Sequence, residues 1–370
     1  MSQAHQRNGL IDLLRLIFTI SVLISHFGSY FDLTRTQIPY FRTGLNVEFF
    51  FTLSGFLMAA SADHLACKGK LSAEDIAAST LSFMKRKIAA IAPVWYLVLI
   101  GYITREAGKR HLSLFGILKL LQEMFPSFLM LQSLGLKEHL SIPYAWYISV
   151  MLVAQLVLFP ILAYRRRLYT YITAPLVILF YCAFALQYRS TIVTLQQQWY
   201  AFFYPSLPRA IALLSGGAIC YELAQLLRLH YGGRLTNTGR CAFAAAEILI
   251  MLVTLHEVVT RIGGKEDIYQ YVLVLLMITL LMSDLGSLAR FFTHPVFGWF
   301  GKISLSIYLS QGLALGFFEK RVTPDGTSDL FFYLPLAIGL GIVVWAMSAL
   351  LAAFVRSLRA RFRGSLIVHA

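Results

Sequence analysis

Residues 9–30 read GLIDLLRLIFTISVLISHFGSY. The run is apolar over a length that crosses the ~30 Å hydrocarbon core of a bilayer as a helix. Past Asp12 in its first turn, Arg15 and His26 stand inside the apolar run. Eleven residues make almost whole turns of an α-helix, so both point the same way, roughly 16 Å apart along the axis. They cannot touch, but they can grip two ends of one long molecule lying along the helix. An ionisable group inside a membrane span is costly and is by default a functional hypothesis.

The rest of the chain agrees with that reading. Of 370 residues, 58% are hydrophobic and 14% charged, and mean hydropathy is +0.67. This is the composition of an all-α, polytopic transmembrane helix bundle. Apolar runs predict spans near 9–30, 46–64, 86–104, 143–163, 171–188, 207–227, 241–260, 267–284, 300–319 and 330–355, about ten in all. A further segment, 113–134, carries Lys119, Glu123 and Pro126 and is expected to be a re-entrant or interfacial helix on the outer side. Ten spans with the N-terminus inside put the cluster Lys68–Lys87 and the run Arg165-Arg166-Arg167 on the cytoplasmic side. Arg228, Arg234, Arg240 and the tail arginines from Arg356 fall there too, as the positive-inside rule asks. An eleventh crossing would move Arg165–Arg167 and the tail outside. Arg105, Lys109 and Arg110 stay on the outer face, so the asymmetry is moderate. The expected organisation is one membrane domain, 1–355, and a basic cytoplasmic tail, 356–370, suited to anionic lipid.

Several classes are excluded. The formal net charge of +14 sits in short clusters between apolar runs, the pattern of span orientation and not of a nucleic-acid surface. Cys67, Cys182, Cys220 and Cys241 have no CxxC spacing, so neither a disulfide framework nor a zinc site is indicated. No cleavable signal is visible, since Arg7 is the single positive charge before the first run and no small-residue cleavage site follows it.

An arginine at the cytoplasmic end of the first span suits phosphate or pyrophosphate through its planar fork of donors. A histidine at the outer end suits proton transfer near neutral pH. Together they fit a nucleotide-bearing donor that enters from the cytoplasm and delivers its reactive tip to His26. The bland alternative pairs Arg15 with Asp12 or lets it snorkel, with His26 a satisfied interfacial side chain. The second span, GLNVEFFFTLSGFLMAA (44–60), puts Glu48 at about the depth of His26 and Ser54-Gly55 near mid-membrane. A carboxylate there could orient the imidazole as the acidic member of a triad does; otherwise it is an interfacial residue and Ser54-Gly55 a small-residue helix contact.

Asp12-x-x-Arg15, His26-Phe27 and the segment Phe50-Phe51-Thr52-Leu53-Ser54-Gly55-Phe56 resemble the acyltransferase 3 family of bacterial inner-membrane proteins. FMKRKIAAIAPVWY (83–96), AWYISVMLVAQLVLFP (145–160) and GKISLSIYLSQ (301–311) are similar to further family segments, in family order over nearly the whole chain. Two positions depart: Met151 stands where the family often has glutamate, and Gln311 where a histidine often follows the late Tyr-Leu pair.

The resemblance implies transfer of an acyl group, often acetyl from acetyl-CoA as co-substrate, to a hydroxyl of a cell-envelope or exported carbohydrate. It implies no bound cofactor and no metal, membrane lipid as surroundings, and an inner-membrane location with both termini cytoplasmic. Arg15, with Arg86 or Lys87, would hold the CoA phosphates. His26 would act as general base or transient acyl carrier, with Glu48 orienting it. Asp12, Ser54, Gly55, Trp146 and Tyr308 would support the site. A transporter or flippase of a lipid-linked or acidic saccharide is the alternative, although no inverted repeat or pair of broken spans is visible.

Overall fold

A computed structural model describes residues 8–31, 33, 43–67, 72–132, 134, 142–189, 204–260, 267–286, 288–318 and 327–368. Among these, every regular element is helical: α1 (Gly9–Tyr30), α2 (Thr43–Ala66), α3 (Ala73–Lys109), α4 (Leu114–Glu123), α5 (Phe125–Phe128), α6 (Trp146–Leu168) and α7 (Ala174–Arg189). They are followed by α8 (Ser206–Tyr231), α9 (Asn237–Thr260), α10 (Asp267–Ser283), α11 (Pro295–Leu315) and α12 (Thr327–Val368). A π-helical turn, Tyr169–Thr173, joins α6 to α7, and a 3₁₀ turn, Leu288–Phe292, precedes α11. The loop 189–206 carries Trp199, Tyr200, Phe202, Phe203 and Tyr204, by sequence an interfacial aromatic belt or, less favoured, a stacking surface for sugar rings; all but Tyr204 of these lie outside the described residues.

Each of the ten apolar runs overlaps a helix, yet among the described residues seven stretches are long and apolar enough to cross a membrane by length and composition. Trp146–Gln187 counts as one stretch, Ile268–Ser283 is shorter, and α11, interrupted by Lys302 and Gln311, is not among the seven. Within Trp146–Gln187 the backbone leaves helical conformation at Arg165, at φ −139° and ψ 52°. The basic triplet is anchored there: Arg166 pairs with Asp63 of α2 and with Glu222 of α8. The segment 113–134 forms the short helices α4 and α5, neither long enough to cross. They are tied to α3 by Trp95 Nε1, which donates to the Ser127 carbonyl at 2.9 Å, and by Tyr96, whose hydroxyl donates to the Phe128 carbonyl at 2.8 Å. Leu114, Phe115 and Leu118 are left exposed on α4, as an interfacial helix requires. α12 runs on through the basic stretch from Arg356 to Val368.

α1 begins at a cap: the Asn8 side chain accepts from the amides of Leu10 and Ile11, and Asp12 sits in the first turn near the positive helix end. α2 packs most heavily on α8, and α1 on α11, which in turn packs on α12. The α2–α8 crossing is close because glycines meet there. A Cβ on Gly55 would collide with the Leu214 carbonyl, and one on Gly217 with the Thr52 carbonyl and the Phe56 amide. Small residues let helix backbones approach where lipid supplies no hydrophobic drive to associate. α9 and α12 are mostly unburied and carry bulky apolar side chains such as Leu249, Phe331 and Leu350 outward. In a membrane that face meets lipid.

Candidate active site

One face of α1 lines a cavity of about 1280 Å³, larger than the roughly 300–1,000 Å³ of common small-ligand pockets. Asn8, the adjacent Ile11 and Asp12, Arg15, Thr19 and Val22 follow along that wall in steps of three or four residues, the period of a single helical face. His26 continues the stripe one turn past Val22, and is not itself a lining residue. The opposite walls come from α2 (Val47, Phe50, Ser54), α3 (Lys87, Ile91), α6 (Tyr147, Met151) and α11 (Ser304, Tyr308). At the end near Asn8, Arg228 of α8 and Arg290 of the 3₁₀ turn join the lining.

Charge is concentrated in the same half as Arg15. Its Nη1 lies 3.2 Å from Asp12 Oδ1, with the Arg15 side chain 31% exposed and Asp12 6%. Arg15 thus reaches Asp12 and still presents surface to the cavity. Lys87 adds a second cation across the space. Arg86 does not join them: it is exposed and its Nη1 donates to Ser82 Oγ at 2.9 Å on its own helix. The guanidinium of Arg228 donates to the Ser283 carbonyl at 2.9 Å and to that of Met282. Asn8 Nδ2 donates to the Leu281 carbonyl at 3.1 Å. The α10 C-terminus is therefore fixed to the cavity mouth, its orphan carbonyls satisfied by α1 and α8.

The far half is aromatic and hydroxylic. Ser54 Oγ and the Tyr147 hydroxyl are 3.1 Å apart, and Phe51 packs edge-on against Tyr147 with centroids 4.5 Å apart. The Tyr308 hydroxyl donates to the Tyr144 carbonyl. The Tyr144 ring in turn stacks on His26, centroids 3.8 Å apart and planes 18° apart. Tyr144 has φ +64°, a left-handed conformation that bulky side chains rarely adopt. His26 Nδ1 lies 2.8 Å from Gln311 Oε1. The imidazole is thus covered on one face and held at one edge, just beyond the cavity ceiling.

The expected pairing of His26 with Glu48 does not occur. Glu48 accepts from Arg209 Nη2 at 2.9 and 3.1 Å, deep between α2 and α8. That guanidinium also lies over the Trp146 ring, 5.4 Å from its centroid. Trp146 therefore supports Glu48–Arg209, not the cavity. Gly55 serves the α2–α8 crossing, while Ser54 beside it faces the cavity. The two positions that depart from the family pattern both fall at the site: Met151 lines the cavity and Gln311 holds His26.

The sequence did not single out Arg209, Tyr144, Tyr147 or Arg290 for the site, and it gave Arg228 only a topological role. Arg209 had a usable signal, an arginine just inside an apolar run, which by the same rule that singled out Arg15 demands a partner. The tyrosines had none, because aromatic residues abound in every span. Among the described residues no cluster of three or more His, Cys, Asp or Glu side chains is placed to hold a metal ion.

A helical bundle of membrane length, with a basic chamber leading toward a held histidine, defines a membrane protein with a candidate site inside the bundle. A family model described as an acyltransferase domain matches residues 8–353, and the chain belongs to the acyltransferase 3 family, which makes it a membrane acyltransferase. No curated protein and no solved structure matches it.

Proposed function

We propose that the protein transfers an acyl group, acetyl in the simplest case, from cytoplasmic acyl-CoA to a hydroxyl of a cell-envelope or exported carbohydrate. It acts in a bacterial inner membrane with both termini cytoplasmic, residues 1–355 forming the catalytic domain. The observation that carries this reading is the single α1 face that runs from Arg15 along a large cavity to one turn short of His26. The donor's phosphates sit against Arg15 and Lys87, where a planar fork and a point charge meet them. Its thin pantetheine arm lies along α1, and the thioester reaches His26 past Tyr308.

His26 acts as general base. It takes the proton of the acceptor hydroxyl as that oxygen attacks the thioester carbonyl. The carbon–sulfur bond then breaks, and the leaving thiolate recovers the proton from the imidazolium. Apolar walls exclude water and spare the thioester from hydrolysis. A transporter or flippase would not need a histidine held at the end of the chamber.

The test uses sealed vesicles of known orientation and labelled acetyl-CoA. Donor should be consumed only from the face exposing Arg165–Arg167, and purified protein should hydrolyse acetyl-CoA slowly. His26→Ala should cut transfer by about 10²–10⁴-fold with the protein still inserted. Near-normal turnover by that variant would overturn the reading, and absence of any acetyl-CoA use would favour transport.

A further inference from the structure

Gln311 is the side chain that touches the His26 ring edge, and its own amide is fixed from the other side. Gln311 Nε2 donates to the Tyr308 carbonyl at 2.7 Å. A carbonyl oxygen only accepts, so the amide nitrogen must face it. The flipped amide would set two acceptor oxygens against each other at that distance. Gln311 Oε1 therefore faces His26 Nδ1 at 2.8 Å. An amide oxygen also only accepts, so Nδ1 must carry the hydrogen, and in the neutral ring Nε2 is left with its lone pair.

We propose that Gln311 is a positioning residue that holds His26 as its Nδ1–H tautomer, so that Nε2 is the atom available to take a proton. One turn of α11 supplies both restraints. Gln311 fixes the edge, while the Tyr308 hydroxyl anchors the carbonyl of Tyr144, whose ring covers one face of the imidazole. A triad carboxylate does the same orienting work and also stabilises the imidazolium. A neutral amide gives orientation and tautomer without that charge. Glu48, the carboxylate at comparable depth, is engaged by Arg209 instead. The catalytic meaning rests on His26 acting as base, whereas the tautomer is set by the hydrogen bonds alone and is measurable without turnover.

The test reads the tautomer directly. Full-length protein carrying ring-¹⁵N histidine is purified in detergent, and His26 is assigned by difference against a His26→Gln sample. Wild type should show a protonated Nδ1 and an unprotonated Nε2. Gln311→Met keeps length and volume but removes the acceptor, so it should lose that signature. It should also lower kcat by roughly 10–100-fold, the range seen when the hydrogen-bond partner of a metal-bound histidine is removed, with KM for acyl-CoA unchanged. Gln311→Glu loses the donor to the Tyr308 carbonyl but keeps an acceptor oxygen within reach of the ring, so Nδ1 should stay protonated whatever the state of Nε2. An Nε2–H ring in wild type would overturn the proposal, as would a Gln311→Met protein with wild-type signature and kcat. If Gln311→Met fails to insert, the wild-type and Gln311→Glu spectra decide. Full activity in His26→Ala would sink the base mechanism and leave the tautomer result standing, so the two failures are distinct.

Discussion

Glu48 of α2 and Arg209 of α8 form an ion pair in which each side chain is 1% exposed, with Arg209 Nη2 reaching both carboxylate oxygens. Taking either charge out of water is expensive, and the pair is tolerated because each answers the other. Its place at the tight α2–α8 crossing makes it part of the scaffold behind the cavity wall.

Breaking that pair from one side should destabilise the fold. Arg209→Met leaves a buried carboxylate without its cation and should cost about 3–5 kcal/mol. The double variant Glu48→Gln/Arg209→Met removes both charges and should recover most of the loss. Thermal unfolding in detergent measures this. A Glu48→Gln protein of normal stability but strongly reduced turnover would return Glu48 to the chemistry.

The α2–α8 contact has no room for a methyl group at Gly217, whose Cβ would meet backbone atoms of Thr52 and Phe56. Gly217→Ala should therefore destabilise by about 1–3 kcal/mol, the usual range for overpacking. Gly339, with nothing near its Cβ position, is the control: Gly339→Ala should leave the melting temperature unlowered. Equal melting temperatures for the two variants would contradict the close crossing.

Donor affinity should separate two neighbouring basic residues. Lys87 lines the cavity and Arg86 bonds to Ser82 on the exposed side of α3. Lys87→Ala should weaken acyl-CoA binding, and Arg86→Ala should leave it near normal. Arg15→Lys keeps the charge but loses the fork, and should cost on the order of tenfold, about one hydrogen bond to a charged group. Binding titrations with acyl-CoA read all three; a loss larger for Arg86 than for Lys87 would place the donor elsewhere.

Topology follows from the charge clusters. Reporter fusions after Arg167 and at Ala370 should report the cytoplasm, and one at Leu114 the outer side. External signals at Arg167 and Ala370 would mean that the number of crossings before Arg167 is odd.

The sequence by itself determined the helices and the face of α1. A period of 3.6 residues and a membrane's demand for internally bonded backbone leave an apolar run little choice. The same period puts Arg15 and His26 in line on one face, with no tertiary contact required. The tertiary structure decided the partners. Glu48 meets Arg209 across 161 positions and His26 meets Gln311 across 285. Whether such side chains touch depends on the rotation, depth and crossing of whole helices, and local hydrophobic pattern carries none of these. The carboxylate nearest in depth to His26 was therefore the natural choice from sequence. The packed bundle turned it toward α8 and gave the imidazole an amide.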